Sequence, residues 1–349
     1  MDIRSSTNRY EKWLASRTAV VRSDLNLKHE RMRASPFVFL RATYYRWASE
    51  YPRICRKAHD APVVLSVGDL HVENYGTWRD REGRLVWGVN DVDEARQLPY
   101  TNDLIRLATS AALAELDAHL SMPLGDACET ILEGYVASLE RGGRPIVLAE
   151  RRRWLRDAAT GELRDPVRFW ERLTALPTLR MSGGRPPSYV PRQLFASLPD
   201  GAVDIRVARR IAGAGSLGRP RFVALATVGG GLVAREAKAF LGSVSSARQL
   251  IECTTRASDP FLTIAGGWVV RRLAPDCSRI ELAELPRRRD EQRLLRAMGW
   301  EAANIHASRG GARIRRDLRG RRPRWLERAA SEMVDATISD WKAWKKLSG

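Results

Sequence analysis

Residues 67–94 read VGDLHVENYGTWRDREGRLVWGVNDVDE. The apolar run VVLSV ends in Gly68 and Asp69, and Asn74 follows five residues after Asp69. Beyond a short turn a second apolar run, LVWGV, delivers Asn90, Asp91, Val92 and Asp93. Taken singly, Asp, Asn and Gly are ordinary turn residues, and the stretch reads as a β-hairpin with acidic turns. Taken together, an aspartate, an asparagine five positions on and a strand-borne aspartate form a set with chemical meaning.

That set has the spacing of a kinase catalytic loop and its metal-binding aspartate. Phosphoryl transfer asks little covalent work of a protein. It needs a carboxylate to orient the attacking hydroxyl and hard oxygen ligands to hold Mg2+ against the phosphates. Asp69 is the candidate base, and Asn74 and Asp91 are the candidate metal ligands. His71 and Glu73 also spell HxE, but the PCxxC partner that a zinc deaminase requires is absent.

The whole chain has 349 residues, enough for two or three lobes with a sizeable core. Its 59 Lys and Arg against 41 Asp and Glu give a net charge of +18, which favours polyanionic partners: nucleic acid, an anionic membrane or phosphorylated ligands. Arginines are scattered (151–153, 287–289, 313–322), which describes a solvated basic surface rather than a nucleic-acid groove. Cys55, Cys128, Cys253 and Cys277 form no CxxC pair, so neither a zinc site nor a disulfide framework is signalled and a reducing compartment fits. The opening MDIRSSTNRYEKW has no apolar leader core, and no run of about 18 apolar residues occurs; a soluble, cytoplasmic protein is expected.

Helical stretches are expected at Tyr10–Ala19 and Asn26–Met32. Ser35 can cap a helix with Pro36 at its first position, carrying Phe37, Phe39, Leu40, Tyr44, Tyr45 and Trp47 at helical spacing. Arg41, alone on this apolar helix, reads as snorkelling or salt-bridged. A long helix, LIRLATSAALAELDAHL, follows Pro99, with Asn102 or Asp103 as N-cap and Leu104, Leu107, Ala108, Ala111 and Ala112 as its apolar stripe. An aspartate there can instead brace the catalytic loop from behind. Helices are expected at Asp126–Leu139 and Pro145–Asp157, and a linker or mobile loop at Pro177–Pro199.

A second informative region follows. Val203–Ile211 alternates and runs into GAGSLG, with Gly213, Gly215 and Gly218 in GxGxxG spacing. A dinucleotide-binding glycine turn must open a helix, yet here Arg219-Pro220 leads into FVALATV, the turn Gly229-Gly230-Gly231 and LVAREAKAF. Strand, glycine turn, strand, turn, strand describes the loop that covers ATP phosphates in kinases, with Gly213, Gly215, Ser216 and Gly218 over the nucleotide. Such a loop demands a lysine on the third strand, and Lys238 stands there to hold the α and β phosphates. Its carboxylate partner is expected on the helix of Ser243–Ser258, whose one acidic residue is Glu252. Residues 259–285 read as more strand (GWVVRRLA, SRIELAEL), and the chain from Arg287 reads as helical. His306 is expected as a packed helical histidine, and Trp325, Trp341 and Trp344 as docking residues.

The glycine loop and lysine follow the catalytic loop instead of preceding it. The expected fold is therefore α+β, protein-kinase-like, two-lobed and circularly permuted, which is physically permissible because termini can be relocated around an unchanged site. The expected division is a catalytic region at 1–200, a nucleotide-binding sheet at 201–285 and returning helices at 286–349. In its combination of SPFVFLRA, VGDLHVENYG, VNDVDEA, NDLIRLATSAAL, GAGSLGRPRFVAL, the lysine strand and SDPFL, the chain resembles the bacterial family called domain of unknown function 2252, over about residues 30–310. GDLHVEN also resembles the GDLHxxN loop of aminoglycoside and choline phosphotransferases. That likeness implies Asp69 as base, Asn74 and Asp91 as metal ligands and Asp103 as the brace, with His71 and Asp93 in support. The chain departs from the family at Tyr75 and Val92, where phenylalanine is usual, and at Ala42, where glycine is usual; the last weakens any phosphate role for Arg41.

The expected function is ATP- and Mg2+-dependent transfer of a phosphoryl group to a hydroxyl of a small-molecule or protein acceptor. The alternatives are nucleotidyl transfer on the same equipment, a catalytically silent nucleotide-binding regulator, and a basic nucleic-acid binder for which only charge speaks. No motif identifies the acceptor or the oligomeric state.

Overall fold

A computed structural model of the chain describes residues 1–148, 153–159, 165–180, 186–277 and 290–347. It opens with α1 (Ile3–Arg17) and α2 (Arg22–Ala34), both longer than the sequence pattern suggests. The inward stripe of α1 includes Ser6 and Thr7 beside Ile3 and Leu14, which a hydrophobic period does not register. Ser35 accepts the amide of Val38 at 3.2 Å and Pro36 starts α3 (Pro36–Ala42), as its N-capping chemistry dictates. The expected single aromatic helix is two. Thr43 leaves helical geometry (φ −123°, ψ 40°) and bonds Phe39 O at 2.7 Å, separating α3 from α4 (Tyr44–Ile54).

After α5 (Arg56–His59) come four short strands: β1 (Val63–Ser66), β2 (Tyr75–Arg79), β3 (Leu85–Val89) and β4 (Arg96–Pro99). β1 pairs antiparallel with β4, and β2 pairs antiparallel with β3. This pairing decides the site. The β1–β2 loop and the β3–β4 loop must span the same gap between the two small sheets, so they run side by side.

The helix α6 (Tyr100–Leu116) is buried nearly all round, not along one stripe, because the closing helices cover its second face. It starts earlier than expected. Neither Asn102 nor Asp103 caps it; Pro99 occupies that position, and both polar side chains are buried and turned toward the β1–β2 loop. α7 (Leu124–Glu140) follows. The helix expected at Pro145–Asp157 is found only in its second part. Ile146–Val147 form β5, which extends the β2–β3 hairpin by pairing Ile146 with Trp87, and only α8 (Arg153–Ala159) is helical; residues 149–152 lie outside the described residues. α9 (Pro166–Thr174) is capped by Asp165, which accepts the amide of Val167 at 2.6 Å.

Nor is the stretch 177–199 a free linker where it is described. Thr178 bridges Ala208, and Val190 with Leu194 of α10 (Arg192–Ala196) packs on Val207, Phe222, Ala224, Ala237 and Val270. The proline- and glycine-rich composition hides those two anchoring side chains.

The third sheet contains β6 (Val203–Arg209), β7 (Arg221–Val228), β8 (Gly231–Ala239), β9 (Thr263–Ala265) and β10 (Trp268–Leu273), with α11 (Val244–Cys253) between β8 and β9. Its spatial order is β6-β7-β8-β10-β9, antiparallel throughout. The strand expected at SRIELAEL lies outside the described residues. The chain ends in α12 (Asp290–Gly320) and α13 (Trp325–Lys346), which pack on α6 and α7. Trp341 and Trp344 bond the carbonyls of Arg33 and His29, both at 3.3 Å, docking the last helix on α2.

The protein is thus mixed α and β with antiparallel sheets. One apolar core joins Leu70, Trp87, Leu107, Tyr135 and Met298 to Val269 of β10, Leu250 of α11 and Phe240 just past β8. Among the described residues no helix is long and apolar enough to cross a membrane.

Candidate functional site

The β1–β2 loop turns at Gly68, whose φ of +82° belongs to the left-handed region. A β-carbon there would also collide with the carbonyl of Glu94 and the hydroxyl of Tyr44. Behind the turn, Asp103 of α6 accepts the amides of Val67 at 2.7 Å and Gly68 at 3.0 Å, and Val72 N donates to Ser110 Oγ at 3.0 Å. Asn102 Nδ2 donates to Gly68 O at 3.2 Å while its Oδ1 accepts from Trp47 Nε1 at 2.9 Å. The loop is therefore held by side chains of one buried helix.

Asn74 links this loop to its neighbour. Its amide nitrogen donates to Asp69 O at 2.9 Å and Asp91 O at 3.0 Å, and its Oδ1 accepts Asp91 N at 2.8 Å. Asp91 Oδ1 in turn accepts Asp93 N at 3.1 Å. From β8, Lys238 donates to Asp91 Oδ2 at 2.9 Å and meets Asp93 Oδ2 at 2.7 Å. Asp93 also receives Arg219 Nη1 at 2.9 Å. Lys238 is buried, beneath the two aspartates that line the cleft above it.

Asp69 is held by a residue that sequence reasoning missed. Arg106 of α6, fully buried, donates from Nε to Asp69 Oδ1 at 2.7 Å and from Nη2 to Leu40 O at 3.0 Å. Its guanidinium lies 5.0 Å and 4.9 Å from the ring centroids of Tyr44 and Trp47. A lone arginine within LIRLATSAAL was the available signal. The other Asp69 oxygen, Oδ2, faces Gly215: a β-carbon on Gly215 would lie 4.0 Å from it.

GAGSLG connects β6 to β7, and Gly213, Gly215 and Ser216 line the cleft. Gly218 does not. It turns at φ +94° against Leu25, and its carbonyl accepts Val21 N at 3.0 Å. Lys28 of α2, buried, donates to Gly215 O at 3.2 Å, so the first two helices seat the glycine loop. The cleft between this loop and the paired aspartate loops encloses about 780 Å3, within the range of small-molecule sites.

Four expectations are corrected or refined. Glu252 stands exposed on α11, which packs toward β1 and β4, and the acidic partners of Lys238 are Asp91 and Asp93. Arg41 is ion-paired to Glu73 at the cleft wall. His71 is buried and lines the same cleft. His306 is packed, yet it also touches the site's support: Nε2 lies 3.0 Å from Asp103 Oδ2 and Nδ1 lies 2.9 Å from Tyr135 OH.

The carboxylates differ in proton affinity. Burial pushes Asp69 above the ordinary aspartate value against the pull of Arg106. Burial would raise Asp91 too, but Lys238 holds it well below that value. Asp93, raised by burial and by the charge of Asp91, reaches about 6. Asp91 and Asn74 offer carboxylate and carboxamide oxygens, the hard donors that magnesium takes together with phosphates and water. Among the described residues no group of three His, Cys, Asp or Glu side chains is placed to hold a metal ion by itself.

A family profile described as an uncharacterized protein conserved in bacteria (DUF2252) matches residues 20–167. That span supports the resemblance to this family over the part of the chain that carries Asp69, Asn74, Asp91, Asp93, Asp103 and Arg106. The glycine loop and Lys238 lie beyond it. No curated protein and no solved structure matches the chain.

Proposed function

We propose that the chain is an ATP- and Mg2+-dependent phosphotransferase of circularly permuted, protein-kinase-like design, acting on a hydroxyl of a small molecule or protein. The observation that carries this reading is Lys238 at 2.9 Å from Asp91, which it follows by 147 residues. Two sequence signals recognised independently, one in each half of the chain, meet beside one cleft.

The residues divide the work. Asp69 orients the acceptor hydroxyl and takes its proton, with Arg106 fixing its rotamer so that Oδ2 is presented to the cleft. Lys238 gives two of its three N–H donors to Asp91 and Asp93 and so places positive charge directly beneath the phosphates. The glycine loop covers the phosphates without side chains in the way. Asp91 and Asn74 would hold Mg2+, which when bound neutralises charge on the transferring group. Asp103 keeps the β1–β2 loop in register behind them.

Incubation with γ-labelled and, separately, α-labelled ATP and Mg2+ against fractionated metabolite and protein pools tests the reading. Label moving only from the γ position is the expected result, and it should vanish in Asp69→Asn and Asp91→Asn. Transfer of the α label identifies nucleotidyl transfer instead. A rise in melting temperature with ATP but no transfer from either position identifies a silent nucleotide-binding regulator.

A further inference from the structure

Beside Lys238 the floor of the cleft is ionic. Strand register puts Arg221 opposite Lys238 and, one rung along the same face, Glu236 between Val223 and Arg271. Glu236 is 1 % exposed and gathers three guanidiniums: Arg221 Nη1 at 2.7 Å, Arg271 Nη2 at 2.8 Å, and Arg210 through Nη1. Arg221 also reaches Ser216 Oγ in the glycine loop at 2.7 Å. Arg271 reaches Asn90 Oδ1, next to Asp91, at 2.8 Å. All three arginines line the cleft, whereas Glu236 and Lys238 lie beneath its surface.

Three guanidiniums share one carboxylate, so Glu236 cannot occupy all of their donors; Asp91 and Asp93 add negative charge on the side of Arg271. Arg210 and Arg271 keep 28 % and 27 % of their side chains exposed, with donors left for a ligand. Guanidinium forks suit phosphate oxygens, and the shared carboxylate fixes their orientation in advance. Burial would raise Glu236, but Arg221, Arg271 and Arg210 hold it well below the ordinary range, so it remains a fixed negative centre. Further along the same face, Val223, Leu225, Ala234 and Leu273 are already packed by Leu173 of α9. Leu173, Leu176 and Leu273 line the cleft beyond the arginines and give it an apolar wall beside the cationic floor.

We propose that Arg210, Arg221 and Arg271, organised by Glu236, form a subsite for a phosphate chain. The placement of phosphates between glycine loop and Lys238 rests on the phosphotransferase reading; the cationic subsite itself rests on the Glu236 cluster. The chain of phosphates belongs either to the donor or to a phosphorylated acceptor.

Calorimetric titration of the full chain with inorganic tripolyphosphate, MgATP, MgGTP and adenosine distinguishes these. Tripolyphosphate and both nucleotides should bind, each far more tightly than adenosine. Arg210→Ala and Arg271→Ala should each weaken tripolyphosphate binding by roughly tenfold, with Arg271→Lys intermediate. Their melting temperatures without ligand report that they fold. Competition between tripolyphosphate and MgATP assigns the subsite to the donor; binding of tripolyphosphate alongside bound MgATP assigns it to the acceptor. Folded variants that bind tripolyphosphate as tightly as the native chain, or a native chain that does not bind it, overturn the proposal. Arginine-dependent binding without any γ-label transfer would sink the phosphotransferase reading and leave this subsite standing.

Discussion

His306 of α12 and Asp103 of α6, 203 residues apart, meet at 3.0 Å with both side chains fully buried. Tyr135 OH lies against the other ring nitrogen at 2.9 Å, so the neutral tautomer with its proton on Nε2 satisfies all three groups. The C-terminal helices thereby set the carboxylate that holds the β1–β2 loop. His306→Ala removes one hydrogen-bond donor to Asp103 and leaves a cavity, and should destabilise the protein by about 2–4 kcal/mol in denaturant unfolding. An unchanged midpoint would show that the contact contributes nothing.

Glu236 carries a pH signature. Its carboxyl is held well below the ordinary value by three arginines, against the effect of burial. The stability it contributes is therefore present above the unfolded glutamate pKa of about 4.3 and is lost as pH falls toward the folded value. Glu236→Gln should cost about 3 kcal/mol near neutrality. It should also flatten the loss of stability below about pH 4. Parallel pH profiles for the two proteins would contradict this account.

Gly215, on the cleft side of the loop, should behave differently from Gly218. At Gly218, φ is +94° and a β-carbon would strike Leu25, so Gly218→Ala should lower stability by at least about 1 kcal/mol. At Gly215 a β-carbon would stand 3.0 Å from Arg41 O, a contact that small shifts relieve. Gly215→Ala should leave the melting temperature nearly unchanged and weaken ATP binding. Equal effects on folding at both positions would refute this division.

Arg106 touches Asp69 and lies outside the cleft, so it acts by positioning. Arg106→Lys keeps the charge and loses the planar fork that grips Asp69 Oδ1 and Leu40 O together. The expected kinetic result is a fall in kcat with little change in KM for ATP. A change confined to KM would mean that Arg106 serves nucleotide binding.

The parts of the site legible in the sequence were those written in local spacing. Asp69, Asn74 and Asp91 sit at the ends of short apolar runs, and Lys238 sits on a strand announced by a glycine turn. The illegible parts depend on which face a residue turns inward. Glu252 was the one acid on its helix, but α11 buries another side, and the aspartates of the earlier half took its place. Arg106 looks like any snorkelling arginine until α6 is covered on both sides. Glu236 and its arginines lie on four separate segments, and only the antiparallel register of β7, β8 and β10 gathers them. Ile146–Val147 reads as helix because a two-residue strand is defined by its partner, Trp87 and Val86, rather than by its own period.

The central claim is that Lys238 and Asp91 belong to one phosphate-binding site. Its most direct test is the affinity for MgATP of the native chain, Lys238→Met, Asp91→Asn and the double variant, each checked for folding by its melting temperature without ligand. The native chain should bind, each single variant should lose roughly tenfold or more, and the double variant should lose less than the two losses combined, because both side chains serve the same ligand. A native chain that does not bind MgATP, or single variants that bind it unchanged, would contradict it.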